Sequence, residues 1–355
     1  MKKYFWLLAC LIASVMFVAC GDDDDPVNPT PDPDVPVVQK TTMFFINEGS
    51  YSVPNSASVC QYNPETKKVS VWEEATEKLG DTPQDMLLVG NMLYITCWGS
   101  HGFLVADVTR ATDSRFVELG EEQPRYMAYK APYLYISCYG GKVIRYNTTS
   151  GSKSTLQTSG ANLEGAAIVG DMLYVCNSHS VDANYNYTYL NTLICIDLKS
   201  FTEKGSIETV VNPNYLKEMG GKLYVLGFGD YYLNGYMLAE VNVENKTSRD
   251  ICPATKMCAQ NGFVYFCNSA TTDWVHYTTS FGVYDAASGE VTMDPSTTSE
   301  TVYMIAEDPN SHEVYASVTD YVNEGSIYRF NSKKEQLDKF SSLGINPSCA
   351  VFYRN

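Results

Sequence analysis

The 355-residue chain carries 41 acidic against 25 basic residues, a formal charge of −16, and no Lys/Arg cluster stands anywhere along it. That balance excludes a phosphate-opposing nucleic-acid surface. With 45% hydrophobic residues and 27 tyrosines, the chain from about residue 41 onward suffices for one large all-β domain.

The chain opens with MKK and an apolar run ending at Phe17-Val18-Ala19-Cys20. A basic start, a short apolar stretch and a small-residue site predict a secretory signal over residues 1–19 rather than a membrane span. The site resembles the bacterial lipobox, which implies that Cys20 is lipidated and anchors the mature protein to a membrane. Four aspartates, Asp22 to Asp25, and a proline-rich stretch, Pro26 to Pro36, follow. They complete a tether over residues 20–40 whose proline-rich part is extended by roughly 3 Å per residue.

From residue 41 to the end, one apolar pattern recurs. Its best-spelled copy is GDMLYVC, Gly170 to Cys176, and the tyrosines of its copies are Tyr94, Tyr135, Tyr174, Tyr224, Tyr265 and Tyr315. Phe45 takes the tyrosine place in a first, weaker copy. The steps from Phe45 onward are 49, 41, 39, 50, 41 and 50 residues. A strand repeated at that period is the mark of a β-propeller. Each copy is followed by a second strand, a tight turn and a third, and is preceded by a strand usually opened by proline (Pro83, Pro124, Pro213, Pro253). The unit is a four-stranded blade, and there are seven. The last segment, INPSCAVFYRN, reads as an opening strand, and the first, TTMFFINEGS, lacks one. The expected fold is therefore an all-β, seven-bladed β-propeller over 41–355, closed by pairing of its N- and C-terminal strands, which leaves no open sheet edge.

In such a blade the turns between strands one and two and between three and four share one face. Here they are short and polar (GN, GD, PETKK, TSGS). The loops between strands two and three share the other face and are long and aromatic. Large amphipathic rings in exposed loops suit a binding surface. The ligand-binding set expected from them is Tyr51, Trp98, Tyr139, Tyr187, Tyr231, Trp274, Tyr277 and Tyr321, joined by Arg125 from the central funnel. The residues after the blade openings, Gln84, Arg125, Glu164, Asn214 and Ser348, should face that funnel on the same side. They form a mixed polar set suited to amides and hydroxyls rather than a carboxylate ring for a catalytic metal.

His101, His179 and His276 fall in three different loops, and His312 in a turn of the opposite face. Glu48 and Asp320 are possible axial acids, although acids scattered over loops usually face solvent. There is no GxSxG, HExxH or phosphate loop, and no Cys/His metal spacing. Cys10 leaves with the signal. With Cys20 lipidated, nine cysteines are left, most of them at strand ends and read as buried thiols.

The signal, acidic tether and blades together resemble the YncE-like propeller lipoproteins of the Bacteroidetes surface. The most specific local piece is Ile46-Asn47-Glu48-Gly49-Ser50 with Asn55-Ser56-Ala57-Ser58, which resembles the opening NEG motif of a domain family of unknown function. A studied branch of that family captures cobalamin and caps a TonB-dependent outer-membrane vitamin B12 transporter. The resemblance implies a protein on the outer membrane facing the medium, non-catalytic capture of a corrinoid, and such a transporter as partner. A glycan-binding or protein-interaction propeller is the alternative, and a calcium-dependent propeller lactonase a third. No cofactor, resident metal or nucleic-acid partner is expected.

Overall fold

The computed structural model describes residues 40–230, 233–271 and 276–355. The leader, Cys20 and the tether up to residue 39 lie outside the described residues, as do Tyr231, Tyr232 and Trp274.

The strands follow one another as seven quartets. β1 (Thr41–Asn47), β2 (Ser58–Asn63) and β3 (Lys68–Val71) start the first blade, and a single helical turn, α1 (Glu73–Thr76), follows. The second blade is β4 (Pro83–Val89), β5 (Met92–Cys97), β6 (Gly102–Asp107) and β7 (Arg110–Glu118). The third is β8 (Pro124–Lys130), β9 (Tyr133–Cys138), β10 (Lys142–Asn147) and β11 (Lys153–Gln157), and the fourth β12 (Asn162–Val169), β13 (Met172–Val181), β14 (Tyr187–Asp197) and β15 (Thr202–Glu208). The fifth comprises β16 (Pro213–Met219), β17 (Lys222–Gly227), β18 (Met237–Asn242) and β19 (Thr247–Cys252), and the sixth β20 (Lys256–Gln260), β21 (Phe263–Thr271), β22 (Tyr277–Asp285) and β23 (Val291–Thr298). The seventh is β24 (Thr301–Glu307), β25 (Val314–Thr319), β26 (Ser326–Phe330) and β27 (Gln336–Ser341). β28 (Pro347–Arg354) then pairs antiparallel with β1 and completes the first blade. The chain is a seven-bladed β-propeller, and its ring is closed by its terminal strands.

Each blade is sandwiched between two others, so its second strand is buried on both faces and reads as a continuous apolar run rather than an alternation. Leu93, Tyr94 and Ile95 are all buried, as are Leu223, Tyr224 and Val225. Outer strands such as β11 alternate instead. Seven apolar clusters result, one at each seam between neighbouring blades. The seam between the sixth and seventh blades has the smallest cluster, with Cys267, Val302 and Ile305 as its buried members. A polar staple supplements it, in which Asn261 Nδ2 donates to Glu307 Oε1 across the seam (3.0 Å).

The short turns between third and fourth strands share one device. The Asn or Asp at the end of the third strand, or directly after it in the seventh blade, accepts backbone N–H bonds two or three residues on. Asn63 takes Glu65 and Thr66, Asn147 takes Thr149 and Ser150, Asn242 takes Glu244 and Asn245, and Asp285 takes Ala287 and Ser288. Asp107, Asp197 and Asn331 do the same in the other three blades. These are Asx turns, which close a hairpin with local bonds alone.

The NEG stretch is the clasp of the closed ring. Asn47, fully buried, donates through Nδ2 to Ser58 Oγ (3.0 Å) and to the Ser342 carbonyl (2.8 Å). Glu48 and Gly49 donate their backbone N–H groups to Asn346 and Ile345, at the seam between the last and first blades. Gly49 has φ +80°, and a Cβ there would lie 2.6 Å from the Ser56 carbonyl carbon, so only glycine fits.

Candidate functional site: the channel mouth and the aromatic face

The seven inner strands surround a channel. Six of them, all but β20, carry a register shift close to the end that meets the loop face. Such bulges add an unpaired residue and re-aim its side chain. The residues so displaced include Gln84, Arg125, Glu164, Asn214, Tyr303 and Ser348. Hydroxyls recover the backbone bonds the bulges forfeit. Thr96 Oγ1 accepts from Asp85 N–H (3.2 Å), Ser137 Oγ accepts from Tyr126 N–H (3.0 Å), and Ser317 Oγ donates to the Pro347 carbonyl (2.6 Å). Below the mouth lies a cavity of about 400 Å³, lined by Gln84, Tyr126, Tyr215, Lys256, Tyr303 and Ser348 among others.

Two arcs of side chains occupy the mouth. In the first, Arg125 Nε donates to Glu164 Oε2 (2.8 Å), and the Tyr139 hydroxyl donates to Glu164 Oε1 (2.7 Å). The guanidinium also lies over the Tyr139 ring, 4.8 Å from its centre. Both members of the ion pair are withdrawn from solvent, with side-chain exposures of 14% and 2%. Burial works against the Arg125 charge, but the adjoining Glu164 carboxylate, together with Tyr139 and Tyr126, more than restores it. Burial first and Glu164 second push the Tyr139 phenol well above its ordinary value.

The arc continues through His179, edge-on to Tyr139 (5.8 Å) and stacked on Tyr187 (5.4 Å), which in turn stacks on Tyr189 (6.2 Å). Asn162 Nδ2 can only donate, so His179 Nε2 accepts (3.0 Å) and Nδ1 carries the proton toward Ser178 Oγ (2.8 Å). Burial lowers the imidazole pKa, in keeping with this neutral tautomer.

In the second arc the Tyr303 hydroxyl donates to Glu48 Oε2 (2.7 Å), and Tyr321 packs edge-on against the Tyr303 ring (5.8 Å). Lys256 Nζ lies over both Tyr303 (4.6 Å) and Tyr215 (5.5 Å). Burial raises the Glu48 carboxyl above its ordinary range, against the Tyr303 bond.

The structure thus brings Arg125, Tyr139 and Tyr187 together and sets Tyr321 in the opposite arc. Tyr277 begins β22 beside Thr271, within electrostatic range of Tyr321. Trp98 is half-buried, and its buried indole N–H has no partner among the described residues. Tyr51 stands free at a loop tip, 93% exposed.

Several expectations change. Glu48 and Asp320 are not a pair of axial acids. Glu48 is drawn into the mouth, because its own backbone is tied to the closing strand. Asp320 is spent on its loop, accepting from the Val322 and Asn323 N–H groups and Asn323 Nδ2. Asn214 commits its Nδ2 to the carbonyl and the Oδ1 of Asn212. The histidines do not converge. His101 Nδ1 donates to the Glu122 carbonyl, and no group of three or more His, Cys, Asp and Glu gathers among the described residues. Lys256 and Tyr303 were missed by the count from the blade openings. β20 begins three residues after Pro253, and β24 has no opening proline.

The tips of the loop face are built for display. Asp182, Asp230 and Asp320 each accept two backbone N–H bonds and the amide N–H of a nearby Asn, namely Asn186, Asn234 and Asn323. Between bracket residues, Tyr185 and Tyr321 are held at φ +62° and +66°, a conformation uncommon for large side chains. Among the described residues, eight of the eleven exposed large hydrophobics lie on this face, including Tyr185 (84%) and Leu233 (93%).

No protein-family model matches the chain, and no curated protein matches it. Solved structures do. The chain is similar to a proposed 6-phosphogluconolactonase from Bacteroides fragilis (TM-score 0.60, 12% identity, 88% of this chain and 98% of that one). It is also similar to U3-55K (TM-score 0.56, 7% identity, 73% and 81%) and to the dihydro-heme d1 dehydrogenase NirN (TM-score 0.54, 10% identity, 82% and 63%). At such identities the likeness is one of fold, and propellers of this kind serve unrelated functions.

Proposed function

We propose that this protein is a lipid-anchored propeller of the outer membrane that captures a ligand without transforming it. The ligand is a corrinoid, received on the loop face, and the partner is a TonB-dependent outer-membrane transporter. The observation that carries this reading is the concentration of exposed aromatic and apolar side chains on one face, around a polar mouth. A corrinoid has a broad ring with amide side chains at its edge, and stacked tyrosines with nearby hydrogen-bonding groups complement both parts. The leader and tether support the location through their resemblance to lipoprotein export signals.

Hydrolysis is disfavoured by the commitments of the mouth carboxylates. Glu164 is spent on Arg125 and Tyr139, and Glu48 on Tyr303. The stacked Tyr187–Tyr189 pair favours one alternative, a glycan as ligand, since such faces also stack on sugars. Calorimetric titration of residues 41–355 with cyanocobalamin tests the proposal. Saturable one-to-one binding supports it. Absence of both heat and a visible-spectrum shift removes the corrinoid, and a glycan panel follows.

A further inference from the structure

We propose that Asn234, at the fifth-blade tip of the loop face, is a site of spontaneous deamidation whose reaction opens that tip, and that Asn261, in the same dipeptide, is protected by the fold. The sequence holds two Asn-Gly pairs, Asn234-Gly235 and Asn261-Gly262. Glycine has no side chain, so its backbone nitrogen reaches the preceding asparagine's Cγ with the least hindrance. The structure gives the two pairs different work.

Asn261-Gly262 turns the hairpin between β20 and β21. Both residues have positive φ, +52° and +88°, as a type I′ turn requires. The attacking atom is engaged, since Gly262 N–H donates to Met219 Sδ (3.2 Å). The leaving group is engaged as well, with Asn261 Nδ2 donating to Glu307 Oε1 (3.0 Å) and to the Pro309 carbonyl (3.3 Å). Reaction there has first to break the turn and the staple between the sixth and seventh blades.

Asn234-Gly235 makes no such turn, and neither residue has positive φ. Asn234 closes the Asp230 bracket, donating its backbone N–H to Oδ1 (2.8 Å) and Nδ2 to Oδ2 (2.7 Å). Both members of the pair are exposed. Gly235 N–H donates to no described residue, and a Cβ at Gly235 would meet nothing within 4 Å. Neither backbone conformation nor packing therefore calls for glycine at this position. The sister brackets differ here, because their closing asparagines, Asn186 and Asn323, are followed by Tyr187 and Glu324. Of the three brackets, the fifth blade's is the one whose asparagine is left open to attack from the next residue.

In the reaction the Gly235 nitrogen attacks Asn234 Cγ. The new N–C bond forms, the Cγ–Nδ2 bond breaks, and the glycine proton passes through solvent to the nitrogen that leaves as ammonia. Water then opens the cyclic imide at either carbonyl, giving aspartate or isoaspartate. One water is exchanged for one ammonia, with no change of oxidation state. Either product replaces the Nδ2 donor by a carboxylate facing Asp230, so a hydrogen bond becomes a like-charge contact. Isoaspartate also adds a methylene to the backbone where there is no slack, since a Cβ at Gly229 would already collide with the Asn234 carbonyl. The N–H bonds of residues 233 and 234 to Asp230 are then lost, and with them the fixed display of Leu233. The site does not depend on which ligand the face takes.

The test is to age the purified protein at mildly alkaline pH, folded and in urea, and to map the products by peptide mass spectrometry. In the folded protein, conversion at Asn234 should run about tenfold or more faster than at Asn261, whose reaction waits on local opening. In urea the two rates should converge. Equal rates in the folded protein overturn the proposal, as does an Asn234 that stays intact while the urea sample converts. Gly235→Ala, which has room for its methyl group, should slow conversion at Asn234 and leave Asn261 unchanged. An unaltered rate at Asn234 in that variant also overturns the proposal. Amide hydrogen exchange at residues 233 and 234 reads the opening of the tip. Faster exchange is expected in the converted protein, and unchanged exchange sinks the claim that the tip opens.

Discussion

The two faces of the ring are built from the same hairpins and solve opposite problems. On the turn face, seven Asx residues close seven hairpins with bonds to their own following backbone, and little apolar surface is shown. On the loop face, the connections run from three residues, Tyr139 to Gly141, to the ten from Glu48 to Ala57, and they display Tyr51, Tyr185, Leu233 and Tyr321. Local backbone bonding makes a turn short and independent of the rest of the ring. A loop that displays side chains needs brackets such as Asp182–Asn186 and support from neighbouring blades. Stability is therefore distributed over the turn face blade by blade, whereas the loop face depends on a few shared contacts near the channel.

The strongest way to break that contrast is Glu164→Ala. It leaves Arg125 enclosed without its carboxylate, and a loss of about 3–5 kcal/mol is expected in chemical unfolding. Adding Arg125→Leu should recover part of that loss, because the stranded charge is then gone. Next come Trp98→Ala and Tyr187→Ala, which should weaken cyanocobalamin binding about tenfold or more while the circular dichroism spectrum is unchanged. On the turn face, Asn63→Ala should cost about 1 kcal/mol of stability and leave binding untouched. Equal losses of binding from Asn63→Ala and Tyr187→Ala would mean the faces are assigned the wrong way round.

The smallest expected effects are in pH dependence, and they oppose each other in the two arcs. The His179 pKa is lowered in the folded state, so the unfolded chain takes up its proton first on acidification. Stability should fall as pH drops below about 6.5, the ordinary histidine value. His179→Gln should flatten that slope in urea midpoints measured across the range. The Glu48 pKa is raised, so its contribution runs the other way, with stability lost as pH rises above the ordinary carboxylate value. Glu48→Gln should remove that component.

The blades were legible because each residue of a second strand contacts its neighbours in a repeated way, so the LYV pattern recurs at nearly constant spacing. An equally regular marker stood beside it unread. The third strands end QYN, VAD, RYN, CID, EVN, VYD and RFN, and those last residues make the seven Asx turns. Gln84, Arg125, Glu164 and Ser348 could be placed at the mouth by counting from the blade openings.

Lys256 and Tyr303 were left out of that count: the proline of the sixth blade stands three residues before β20, and β24, like β12, opens without one. By itself the sequence determined the strand repeat, the tight turns, the closing strand and the face that carries the rings. The tertiary structure decided which side chains meet at the channel. The channel is assembled from strands far apart in the chain, and six bulges change which residue points inward, so counting by twos along any single strand cannot predict the mouth.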